Sequence, residues 1–201
     1  MKVTAIKQQV KRQDRYSIYI DDVYTCSLSE SALIESRLAS GQELDAAQVT
    51  ALKEQSGLDR AYNNALRYVV MRPRSEWELA DYFRRKKIDE QAAQQVTERL
   101  RSLDLMNDLT FARSWVANRR LLKSTSKRKL TLELKQKHVA ESIIQQVLAE
   151  DESDDREQLR TLIEKKRARY PDDQKLLQYL LRQGFSYEDS KAAIGMISEE
   201  D

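Results

Sequence analysis

The residues of this chain best fitted to chemistry are cations. Arg84, Arg85, Lys86 and Lys87 form one unbroken block, and Arg119, Arg120, Lys123, Lys127, Arg128 and Lys129 form a looser one around Ser124-Thr125-Ser126. Closely spaced ammonium and guanidinium groups suit a polyanion, because they neutralise phosphates and release condensed counterions. They suit an acidic protein surface equally well. These ten residues are the candidate contact set. The second block is the more promising part, since a loop between helices is free to meet a partner. A plainer reading runs beside this one: Lys and Arg also terminate helices by complementing the macrodipole.

The charge around these blocks is uneven. Residues 67–137 hold 18 Lys and Arg against 9 Asp and Glu, a net +9, while the rest of the chain holds 17 against 24, a net −7. A basic middle between acidic ends points to a polyanionic or acidic partner for the middle, the alternative being an ordinary solvated helical surface.

Enzymatic chemistry finds little to work with. His138 is the single histidine and Cys26 the single cysteine, so neither a Cys/His metal cluster nor an intramolecular disulfide is available. No phosphate-binding glycine loop of the nucleotide-binding kinds occurs. Cys26, without a base near it in sequence, reads as a small strand residue. His138, in the basic tail of a helix, reads as a surface residue. The expected activity is binding, with no enzyme function and no cofactor. The N-terminal residues lack the apolar run of a signal peptide, and no stretch approaches the length of a membrane span, so a cytoplasmic protein without membrane contact is expected.

The first cation block ends a helix whose start is also written in the sequence. Ser75 and Glu78 form a capping box, and Leu79, Tyr82 and Phe83 share one face. This pattern recurs without gaps: Leu79, Leu130 and Leu176 correspond, as do Phe83, Leu134 and Leu180, and Ile88, Val139 and Phe185. Ser75, Ser126 and Asp172 stand four residues before the first leucine of each copy, and the offsets are 51 and 46 residues. A period of that size marks tandem copies of one supersecondary unit.

Taken in order, Tyr16–Ile20 and Val23–Leu28 read as a hairpin turning at Asp21-Asp22, with Val3–Val10 as a third strand. Ser29 caps a helix over about 30–39 ended by Gly41, and Asp45 caps another over about 46–55 ended by Gly57. Glu150 to Asp155 reads as an acidic joint, a candidate hinge. The expected fold is mainly α: tandem three-helix repeats in an elongated array, behind a small N-terminal antiparallel hairpin or three-stranded sheet. Expected boundaries are 1–57 for the sheet with two connector helices, then 58–105, 106–150 and 155–198 for the repeats.

These residues together resemble the RecX family, bacterial regulators of the recombinase RecA. The resemblance rests on Ala65-Leu66-Arg67-Tyr68, Arg74-Ser75 with Glu78-Leu79, and Arg99-Leu100 with Leu103. It continues through Asn107-Asp108, Phe111-Ala112, Trp115-Val116, Leu130 and Glu133-Leu134, and is strongest over about 58–150. It implies a monomer that binds the RecA–DNA filament and modulates ATP hydrolysis and strand exchange, with inhibition the expected direction. The setting it implies is recombination, DNA repair and the SOS response. It also implies weak, sequence-blind binding to single- and double-stranded DNA, with the ten cations as candidate filament contacts. From another class comes a helix-turn-helix-like transcriptional regulator, with Gln91, Gln94, Gln95 and Arg99 as possible base contacts. A plain helical scaffold is the third reading.

Overall fold

The computed structural model describes residues 1–200. The described chain divides into two compact units: Met1–Arg72 with Tyr82–Leu105, and Pro73–Asp81 with the residues from Met106 onward.

Unit 1 begins with strands β1 (Val3–Gln8), β2 (Arg15–Ile20) and β3 (Val23–Ser29), an antiparallel sheet in the order β1-β2-β3. Asp21 and Asp22 make the hairpin turn with φ of 47° and 64°, the twist-matched geometry that normally selects Asn-Gly. Helix α1 (Glu30–Ser36) starts on the Ser29 hydroxyl, which accepts from the Ala32 N–H. It ends at Arg37, in the left-handed region, earlier than the expected 39. Helix α2 (Ala46–Val70) starts on the expected Asp45 cap, completed as a capping box by Gln48.

The expected helix end at Gly57 is absent: α2 runs through it for 25 residues. The reason is tertiary. As an edge strand, β3 would leave outward-facing N–H and C=O groups unpaired, and α2 lies along that edge. Ser56 Oγ accepts from Ser27 N–H and donates to Ser27 C=O, and Asp59 accepts from Ser29 N–H and from its hydroxyl. Arg15, almost fully buried, pairs with Asp59 at 3.0 Å and donates to Ser27 C=O. Covering an edge in this way removes a site of unwanted strand pairing. A helix-interior glycine costs about 1 kcal/mol relative to alanine, a cost opposed by the clasp and by the burial of Ala61, Ala65 and Val69 beyond it. Cys26 lies in the sheet core with Val3, Ile18 and Leu28, and burial pushes its thiol pKa up.

Helices α3 (Glu76–Lys86) and α4 (Glu90–Ser102) follow. In unit 2, α5 (Asp108–Lys123), α6 (Lys127–Gln136) and α7 (Glu141–Glu150) close around Phe111, Val116, Leu130, Leu134, Ile144 and Val147. Then α8 (Asp155–Arg167), α9 (Asp173–Arg182) and α10 (Tyr187–Glu200) close around Leu159, Ile163, Leu176, Leu180 and Phe185. The repeated leucines are core residues: Leu79, Leu130, Leu134, Leu176 and Leu180 are all fully buried.

The repeat extends to the backbone. Lys87, His138 and Gly184 all have positive φ, at 54°, 57° and 88°. Behind each, the next residue's N–H donates five residues back: Ile88 to Phe83, Val139 to Leu134, Phe185 to Leu180. This is one helix stop motif recurring at the same place in all three repeats. The expected caps also form: Ser75 exchanges hydrogen bonds with Glu78, Ser126 accepts from Lys129 N–H, and Asp172 accepts from Lys175 N–H.

Candidate polyanion-binding surface

The ten cations divide by the helix face each occupies. Arg84, Arg85, Lys86 and Lys87 lie in the last turn of α3 and the stop motif behind it, and all four are exposed. Phe83, buried one residue earlier, fixes the helix so that the next turn carries only charge.

The second block behaves differently. Lys123 and Arg128 are exposed. Arg119 is partly covered: its Nε donates to Glu133 at 2.6 Å, and its guanidinium lies 4.4 Å from the Trp115 ring centroid. Arg120 turns inward. It donates to the Thr125 carbonyl, to Asp151 at 2.9 and 2.7 Å, and to Asp155 at 2.9 Å. Lys127 Nζ donates to the Asp151 carbonyl, and Lys129 Nζ to the Arg182 carbonyl and Gln183 Oε1. Arg120 is therefore no surface contact, and Lys127 and Lys129 are partly committed inside the chain. The turn expected to be free is buried: Ser124, Thr125 and Ser126 are each at most 2% exposed.

The same contacts tie down the segment expected to act as a hinge, Glu150–Asp155. Like charges in series repel only until counter-charges arrive, and here they arrive from α5 and α6. Arg113 grips Glu150 with two hydrogen bonds of 2.8 and 2.9 Å, Arg120 joins Asp151 to Asp155, and the Lys127 N–H donates to Asp155. The Arg113 guanidinium, helped by Gln146, holds the Glu150 carboxyl down at about 2. For Asp151 burial opposes ionisation, but hydrogen bonds from Arg120 and Ser153 outweigh it and keep its pKa below the usual carboxylate value. A second tie is steric. A side chain at Gly184 would run into Ser126 Oγ and stand 2.9 Å from Lys129 Cβ, and Ser126 donates to the Gln183 carbonyl.

At the start of α3, Glu78 pairs with Lys137 at 2.8 Å, and the partly exposed Trp77 ring stacks on exposed His138 at 4.5 Å. Lys137 also sits over the Trp115 ring. The histidine is at the surface, as expected.

The base-contact set of the helix-turn-helix reading is divided between engaged and unengaged side chains. Gln94 donates to Glu98, Arg99 lies over the Tyr62 ring at 4.0 Å, and Gln91 and Gln95 line a groove beside α2. That groove has no signal in the sequence, since it is made by residues from three separate segments.

Family models match along the chain. The description "Regulatory protein RecX N-terminal domain" covers residues 1–45, and the first, second and third three-helix domains of RecX cover 61–100, 107–148 and 153–194. Regulatory protein RecX of Listeria innocua is 32% identical over all of this chain and 78% of its own length. That of Lactobacillus gasseri is 35% identical over 76% of this chain and 56% of its own length. A crystal structure of regulatory protein RecX aligns with TM-score 0.71 and 28% identity, covering 96% of this chain and 98% of that one. RecX from Lactobacillus salivarius aligns with TM-score 0.59 and 29% identity over 71% of this chain and 97% of that one.

Proposed function

The chain belongs to the RecX family of regulatory proteins, and on that premise we propose that it binds the filament that the recombinase RecA forms on DNA. There it modulates ATP hydrolysis and strand exchange, with inhibition the expected direction. The observation that carries this reading is the exposed cation set, Arg84 to Lys87 with Lys123 and Arg128, borne on tandem copies of one helical unit. Tandem units offer similar surfaces at intervals to a polymer of identical protomers, and their weak contacts add through effective concentration. The protein acts as a cytoplasmic monomer, by binding and without catalysis. Its affinity for bare single- or double-stranded DNA is weak, salt-sensitive and indifferent to sequence.

We propose sequence units of 1–57, 58–105, 106–150 and 155–198, the first boundary falling within the continuous helix α2. The test is RecA ATPase activity on single-stranded DNA, titrated with this protein. The expected result is a fall in activity that saturates with filament occupancy. Unchanged activity and no co-sedimentation with the filament would reject the reading.

A further inference from the structure

Unit 1 holds a groove that, of the ten candidate cations, only Lys87 touches. It follows α2 and α4 from Lys87 past Gln55, Leu58 and Gln95 to Tyr62 and Glu35. Two hollows sharing Gln55, Leu58 and Gln95 compose it, the larger of about 630 Å³. Its small and apolar lining includes Ala51, Gly57, Leu58, Ala61 and Ala92.

Three features define what fits. The amides of Gln55, Gln91 and Gln95 line it and form no hydrogen bond among the described residues. Each offers a donor and an acceptor together, the complement of a peptide group in an extended chain. Next, Gly57 is exposed in mid-helix, and a Cβ there would meet nothing within 4 Å. Nothing inside the chain asks for glycine there, and its effect is to open the α2 backbone to close approach from outside. Finally, Glu35 and Glu54 are exposed on the lining and have no ion-pair partner among the described residues. They repel a phosphodiester and suit a Lys or Arg side chain. The one other cation on the lining, Arg99, has its guanidinium stacked over the Tyr62 ring.

We propose that this groove receives an extended polypeptide segment of a protein partner, carrying a cation opposite Glu54 or Glu35. The proposal rests on the filament reading: the segment belongs to the protein component, while the exposed cations outside the groove meet the DNA.

Full-length Gly57→Leu tests it, because leucine fills the groove floor yet is a better helix former than glycine. Thermal unfolding checks that the variant folds. Affinity is measured for the RecA filament on single-stranded DNA and, separately, for the same oligonucleotide bare. The expected result is filament binding weakened on the order of tenfold with bare-DNA binding unchanged, and the surface change Glu54→Lys acting in the same direction. Filament binding equal to wild type in both variants overturns the groove and leaves the filament reading standing. A parallel fall in bare-DNA binding in Gly57→Leu means that nucleic acid fills the groove, which overturns the polypeptide. A wild-type protein that ignores the filament removes the filament reading and the groove proposal with it, and is recognised without any variant.

Discussion

Arg120 and Arg128 look alike as charges, yet their surroundings assign them opposite work. Arg120 has a side chain 7% exposed, against Asp151 at 8%, and it also satisfies the Thr125 carbonyl. Removing one partner of a buried pair strands the other without compensation, so Arg120→Ala should cost about 3–5 kcal/mol in urea unfolding. Arg128→Ala, at an exposed position, should change stability by less than about 0.5 kcal/mol. The distinction has a trace in the sequence. Ala112, Val116 and Arg120 follow one another at i, i+4 and i+8, which places Arg120 on the apolar stripe of α5. The lone charge on a buried stripe was the missed signal. Acid titration reports on the neighbouring pair. Glu150 has its pKa lowered in the folded state, so its stabilising effect is present above the unfolded value of 4.5 and is lost as pH falls toward about 2. The pair is exposed and screened by salt, so the effect is modest. Between these pH values the wild-type urea midpoint should fall more steeply than that of Arg113→Gln, and the gap should close in high salt.

At the scale of elements, two glycines give predictions of opposite sign. Gly57→Ala restores helix propensity in open space and should stabilise by about 0.5–1 kcal/mol. Gly184→Ala meets both a φ of 88° and the start of α6, and should destabilise by about 1–3 kcal/mol or more. Lys87 and His138 occupy the equivalent place with side chains, so the glycine answers to the packing of α6 more than to the stop motif itself. Leu134, fully buried between α5 and α7, should cost about 2–5 kcal/mol on change to alanine. The clamped segment 150–155 changes the expectation for proteolysis. A free acidic joint would be cut early, whereas one held by Arg113, Arg120 and Lys127 opens only when those interactions break. A Glu-specific protease should therefore leave the segment intact in wild type and cut it early in Arg120→Ala. Early cutting in wild type would show that the clamp does not hold in solution.

For the whole molecule, the features legible in the sequence were those that local rules decide. Caps, stop residues and apolar spacing repeat every 46 or 51 residues, and strands rich in Tyr, Ile and Val mark the sheet. What stayed hidden depends on partners far along the chain: Arg120 meets Asp151 across 31 residues, and Lys129 meets Gln183 across 54. Composition therefore found the basic middle but could not sort its cations. The net +9 of residues 67–137 overstates the charge free to meet DNA, because Arg113 and Arg120 are paired with carboxylates beyond that stretch. Salt dependence measures what remains. Each cation withdrawn from a phosphate lowers the slope of log affinity against log salt by about 0.7 on single strands, so the combined change Lys86→Ala, Lys123→Ala, Arg128→Ala should lower it by up to about 2. Those three positions are exposed, and thermal stability should stay near wild type. The combination Lys127→Ala, Arg128→Ala, Lys129→Ala should instead lower the slope less and lower stability more, since two of its members hold the Asp151 and Gln183 segments. Equal slopes for both sets would mean that Lys127 and Lys129 leave their internal acceptors when DNA arrives. A slope unchanged by the exposed set would move the polyanion contact to Arg84, Arg85 and Lys87 alone.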